Sequence, residues 1–160
     1  MAVHVGDSIP DVTLAVMGES GPEQVSTGDL FSGKKVVAFA LPGAFTPTCS
    51  AQHLPGFVDS ADAIKAKGVD SIICLSVNDV FVMDAWGKDQ NVSDKVAMVA
   101  DGSGVLAKAL GLELDLTERG LGVRSRRYSM VVDDGVVSVL NLEEGGAYEV
   151  SSAEKILENL

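Results

Sequence analysis

Chemistry in this sequence gathers around Cys49, in the string Leu41-Pro-Gly-Ala-Phe-Thr-Pro-Thr-Cys-Ser50. An apolar run ends, a Pro/Gly-rich loop follows, and a helix is predicted to begin with Pro47 near its first turn. Cys49 then lies where unpaired backbone amides and the positive end of the helix dipole favour a thiolate, the nucleophilic form of cysteine. Thr46 lies three residues earlier, so Thr46-Pro-Thr-Cys49 is a Cys-x-x-Cys frame whose first thiol is replaced by a hydroxyl. That replacement removes a local dithiol couple and leaves one activated sulfur. The chain has 23 acidic residues, yet none between Val36 and Val58, with Cys49 near the middle. A thiolate is disfavoured by carboxylates, and a buried strand excludes them anyway; both readings fit this window.

The arginines carry a second signal. All four, Arg119, Arg124, Arg126 and Arg127, fall within nine residues of an acidic chain. Loop charges balancing nearby acids, or a contact between subunits, account for two or three of them. Arg127 differs because it opens the apolar run Tyr128–Val132, where a guanidinium is costly unless it meets an anion. The thiolate of Cys49 is the natural candidate. Cys74 sits mid-strand in Ile72-Ile-Cys-Leu-Ser76, where a cysteine is usually a small buried hydrophobe. A resolving role would need its Cα within about 7 Å of that of Cys49. His53, four residues after Cys49, raises a Cys–His hydrolase pair, but no oxyanion-hole motif or third partner accompanies it. Phe81, Met83 and Trp86 read as core or subunit contacts. With His4 and His53 the only histidines, no structural-zinc spacing is present.

The elements that must position these residues follow from hydrophobic pattern. Lys35–Leu41, Asp70–Val77 and Lys95–Ala100 are short, nearly all-apolar runs, as strands buried on both faces should be. Between them lie helical patterns over Cys49–Lys67, interrupted at Pro55-Gly56, and over Asp79–Asp89. That alternation predicts parallel βαβ units. A short helix over Val105–Leu110 ends at Gly111. Tyr128–Val132 and Val136–Leu140, joined through Asp133-Asp-Gly135, read as a β-hairpin. Ser151-x-x-Glu154 has the form of a capping box opening a final helix through Leu157. The order is that of a thioredoxin-like α/β sandwich, a central mixed β-sheet flanked by helices, in one domain over residues 1–160.

Composition bounds the function. A 160-residue chain with 46% hydrophobic residues can bury a core without disulfide or metal staples. Its net charge of −11 argues against nucleic acid and anionic membrane surfaces as partners. The N-terminus lacks a basic n-region and an apolar h-region, and two cysteines are too few for a secreted disulfide scaffold. The expected setting is a reducing, cytoplasmic one, or an organelle if a transit peptide has been trimmed.

Pro42-x-x-x-Thr46-x-x-Cys49 resembles the active-site signature of peroxiredoxins, and its extension through His53-Leu-Pro-Gly-Phe57 resembles the type II (atypical, "fifth") subfamily. The resemblance continues in Ser76–Asp79, Phe81–Trp86, Ala100–Gly102, Leu110–Leu114 and Arg126–Met130. It implies a thioredoxin-like fold and a homodimer. Within it Cys49 matches the peroxidatic cysteine, Thr46 the hydroxyl that bonds the peroxide, Arg127 the arginine beside the thiolate and Pro42 the proline shielding it. Some type II relatives carry a resolving cysteine in the loop before the last helix; here Glu144–Ser151 has none, as in the plant and bacterial branch regenerated by an external thiol.

The expected activity is therefore reduction of hydrogen peroxide and alkyl hydroperoxides through a sulfenic acid on Cys49. Arg127, the Thr46 hydroxyl and the Cys49 amide are expected to stabilise charge moving to the leaving oxygen, with no metal, flavin or haem. Glutathione with glutaredoxin is the expected reductant and thioredoxin the alternative. A peroxide sensor that relays oxidation to a partner protein, and a thioredoxin-fold interaction protein, are the rival functions.

Overall fold

The computed structural model describes residues 2–160. Its main sheet has seven strands: β1 (Thr13–Gly18), β2 (Gly21–Ser26), β3 (Lys35–Ala40), β4 (Ser71–Ser76), β5 (Ala97–Ala100), β8 (Tyr128–Asp133) and β9 (Val136–Leu142). They lie in the order β2-β1-β5-β4-β3-β8-β9. β3 runs parallel to β4, and β4 to β5, while β8 lies antiparallel against β3. The predicted mixed sheet is thus present. β6 (Glu113–Leu116) and β7 (Gly122–Ser125) form a separate antiparallel pair.

Alternation along β3 divides the interior into two layers. Val37 and Phe39 face one layer, packed by α2 (Leu54–Ala66), α3 (Val80–Asp89) and α5 (Ala153–Glu158) through Leu54, Phe57, Met83, Trp86 and Ile156. Val36, Ala38 and Ala40 face the other, packed by α1 (Thr27–Phe31) and α4 (Val105–Leu110) through Phe31, Leu106 and Leu110. Both faces of β3 are covered, which explains its unbroken apolar run.

The hairpin β8–β9 turns through Asp134 and Gly135 at φ 47° and 80°, the left-handed pair that a two-residue turn requires. Pattern reading passed over the β1–β2 hairpin because β2, at the sheet edge, is mostly exposed and carries no apolar alternation. Two local expectations are corrected. Ser152, not Ser151, caps α5, accepting from the Lys155 amide at 3.2 Å; Ser151 turns inward because its hydroxyl donates to the Glu143 carboxylate at 2.6 Å. The helix beginning at Pro47 is not broken at Pro55-Gly56. Its turn over Cys49–His53 widens into a π-helix, closed by the Leu54 amide on the Cys49 carbonyl, before α2 proceeds. Pro55 has no N–H for the carbonyl four residues back, and a wider turn just ahead of it absorbs that loss.

Candidate active site

The loop between β3 and the Pro47 helix is pinned from three sides. The Ala44 amide donates to Asn78 Oδ1 at 2.9 Å, and the same oxygen accepts from the Ser76 hydroxyl at 2.6 Å. Arg124 donates from Nη1 to the Pro42 carbonyl at 3.2 Å and from Nε to the Leu121 carbonyl at 2.8 Å. Gly43 leaves room for this contact, since a Cβ there would lie 2.7 Å from Arg124 Nη1 and displace the guanidinium. Trp86, fully buried on α3, donates from its indole to Ser50 Oγ at 3.1 Å and holds the first helical turn. These contacts hold the loop and the helical turn that carry Cys49.

Cys49 is 1% exposed and Arg127 5%. Arg127 enters from the start of β8, on the sheet face shared with Val131 and Phe39, and donates from Nη2 to Cys49 Sγ at 3.2 Å. Its other terminal nitrogen, Nη1, lies 2.9 Å from His53 Nδ1. Guanidinium only donates, so Nδ1 must accept, and the ring proton belongs on Nε2, which donates to the Ser151 carbonyl at 3.0 Å. Burial among Phe39, Phe57 and Tyr148, then the charge of Arg127, pushes the His53 pKa down to about 3. At neutral pH His53 is an uncharged acceptor and not a general base for Cys49. Four residues apart on one helical turn, Cys49 and His53 lie on one side of the helix and meet the two terminal nitrogens of one guanidinium.

Thr46 donates its hydroxyl proton to the Gly43 carbonyl at 2.6 Å. That bond uses the hydroxyl's one proton and leaves its oxygen as an acceptor. The first i→i−4 bond of the helix runs from Ser50 to Thr46 at 2.9 Å, so the Cys49 amide precedes the regular ladder as expected. Tyr148 covers the outer side, its ring 5.9 Å from the Arg127 guanidinium carbon and edge-on to His53. Cys74 lies in β4, paired with Phe39 and Met98, and both cysteines are free thiols. Burial, then the neighbouring Cys49, pushes the Cys74 thiol well up.

Structure thus brings Cys49, Arg127, Thr46 and Pro42 to one loop–helix junction. Sequence reasoning missed the bridging role of His53, the pins Asn78 and Arg124, and the cover Tyr148. The one available hint was arginine itself: Arg124, read as a balancing charge, is half-buried on backbone carbonyls. Met83 and Trp86 are core, whereas Phe81 is 64% exposed.

The Redoxin family pattern matches residues 4–157. Peroxiredoxin-2C of Oryza sativa subsp. japonica is 55% identical over 159 residues, covering 99% of this chain and 98% of its own. Peroxiredoxin-2E, chloroplastic, of Arabidopsis thaliana is 53% identical over 163 residues, covering 99% and 70%. The crystal structure of reduced Prx3 from Vibrio vulnificus in complex with hydrogen peroxide superimposes with a TM-score of 0.95 at 50% identity, covering 98% of each chain.

Proposed function

Because this chain belongs to the Redoxin family and is a type II peroxiredoxin, a thiol-dependent peroxidase, we propose that Cys49 is its peroxidatic cysteine, with Arg127, Thr46 and Pro42 completing the site. The observation that carries the assignment is the buried Arg127 guanidinium 3.2 Å from Cys49 Sγ. The thiolate attacks one oxygen of the hydroperoxide in line with the O–O bond. A sulfur–oxygen bond forms, the O–O bond breaks, and the leaving oxygen takes a proton to depart as water or alcohol, leaving Cys49 as a sulfenic acid. Arg127 and the Cys49 amide meet the charge developing on the oxygens, Thr46 accepts a hydrogen bond from the peroxide, and Pro42 shields the sulfur. No resident metal or organic cofactor is assigned to the reaction.

Regeneration falls to an external thiol. Glutathione attacks the sulfenic acid, releasing water and leaving a mixed disulfide, which glutaredoxin reduces; thioredoxin is the second reductant to test. The support is that Glu144–Ser151 contains no cysteine and that the buried Cys74 is held as a thiol. A second copy of this chain is the assigned partner, covering exposed Phe45 and Phe81. Among the described residues no helix is long and apolar enough to cross a membrane; we assign a cytoplasmic or, as for the chloroplastic relative, an organellar setting.

The deciding experiment is the rate at which a sub-stoichiometric pulse of hydrogen peroxide consumes the Cys49 thiol at neutral pH. Arg127→Ala is expected to slow it about 10²–10³-fold, the usual cost of one transition-state donor. A wild-type rate like that of free cysteine would overturn the assignment.

A further inference from the structure

Arg127 belongs to a chain of contacts that runs beyond Cys49, through His53 and Ser151 to Glu143. Its backbone carbonyl accepts from the Glu143 amide at 3.0 Å, tying the start of β8 to the end of β9. From there residues 143–151 loop back over the site. One oxygen of the Glu143 carboxylate, Oε2, accepts from the amides of Glu149 at 2.8 Å, Val150 at 2.9 Å and Ser151 at 2.9 Å, and from the Ser151 hydroxyl at 2.6 Å. Glu143 is 2% exposed, so these bonds replace its hydration. Burial pushes its carboxyl up, but the Ser151 hydroxyl and the three amides outweigh that and hold it below the ordinary carboxylate range. A buried charge satisfied by four donors from one short segment locks that segment in place.

What the lock holds is the Ser151 carbonyl, 3.0 Å from His53 Nε2. With the ring proton drawn to Nε2, Nδ1 is left as the acceptor for Arg127 Nη1, and Nη2 is directed at Cys49. The contacts close a ring: Glu143 to Ser151, Ser151 to His53, His53 to Arg127, and the Arg127 backbone to Glu143. We propose that Glu143 is a positioning residue for the peroxidatic site, which anchors the 143–151 loop so that Ser151 and His53 aim Arg127 at Cys49. This rests on the reading of Cys49 as the peroxidatic cysteine.

The test measures Cys49 oxidation by hydrogen peroxide in the full chain for Glu143→Gln, Glu143→Leu, His53→Gln and His53→Leu, in wild-type and Arg127→Ala backgrounds. Glutamine at 143 keeps an acceptor without the charge; leucine removes the acceptor. Glutamine at 53 offers one acceptor and one donor group, as the neutral ring does; leucine offers neither. The expected order is wild type, then each glutamine variant, then each leucine variant, with the largest loss about 10²-fold, as a misplacement near 1 Å can produce. In the Arg127→Ala background Glu143→Leu should cause no further loss, since nothing remains to aim.

A Glu143→Leu protein as fast as wild type overturns the proposal while leaving Cys49 assigned. An undiminished further loss in the Arg127→Ala background also overturns it, because Glu143 would then act elsewhere. Should the double variant not fold, His53→Gln no faster than His53→Leu would have the same consequence. A slow wild-type protein would instead remove the reading on which the proposal stands.

Discussion

The molecule holds two buried cysteines in the same core layer, and they differ in almost everything else. Cys49 sits on a widened helical turn ahead of the regular hydrogen-bond ladder, with a guanidinium 3.2 Å from its sulfur. Cys74 sits in the middle of β4, flanked by Phe39 and Met98, and burial pushes its thiol up. Burial is common to both, so burial alone does not distinguish them. The difference lies in what replaces water: a guanidinium donor at one sulfur, and apolar strand neighbours with no such donor around the other.

The sharpest test of that contrast exchanges sulfur for oxygen at each site. Cys49→Ser should abolish thiol-dependent peroxide turnover, whereas Cys74→Ser should retain it and cost about 1–3 kcal/mol of stability for burying a hydroxyl among apolar groups. Turnover with glutathione and glutaredoxin, beside denaturant unfolding, reads both. A Cys74→Ser protein that oxidises once and fails to turn over would return Cys74 to the resolving role.

A smaller effect should follow at Thr46. Thr46→Val keeps the shape but removes both the acceptor and the bond donated to the Gly43 carbonyl, and is expected to slow Cys49 oxidation about 10²-fold, while Thr46→Ser stays near wild type. Stopped-flow traces at several peroxide concentrations would separate this from a defect in reduction. Equal slowing by serine would mean that the methyl group, and not the oxygen, matters.

The smallest effect is on stability against pH. His53 has a folded pKa near 3 against an ordinary 6.5, so the unfolded chain binds its proton first as pH falls. Stability should be complete above pH 6.5 and decline from there toward pH 3. Glu143, held below its ordinary 4.5, adds to the decline only under that value. Between pH 6.5 and 4.5 the loss belongs to His53 and amounts to about 2 kcal/mol. Unfolding midpoints across that window should flatten in His53→Gln; a slope unchanged by the substitution would assign it to another group.

Much of this is legible in the sequence. Hydrophobic period placed β3, β4, β5 and the β8–β9 hairpin, and the run of four arginines singled out Arg127 as the one needing an anion. Local chemistry misled at Ser151, whose spacing from Glu154 imitates a cap, because its amide and hydroxyl both turn inward to donate to the buried Glu143 carboxylate and Ser152 takes the capping position. Arg124 reads as a surface charge because its partners are the Pro42 and Leu121 backbone carbonyls, which composition does not reveal.

Sequence by itself determined that a cysteine would open a helix after a buried strand, with a hydroxyl one turn before it, since such signals lie within a few residues of one another. It also determined the type of group that would meet it. Tertiary structure decided which atoms touch: the order β4-β3-β8 carries Arg127 across 78 positions to Cys49, and the return of the 143–151 loop brings Ser151 across 98 positions to His53. Pairings at that separation depend on strand order and chain reversal, which no local propensity encodes.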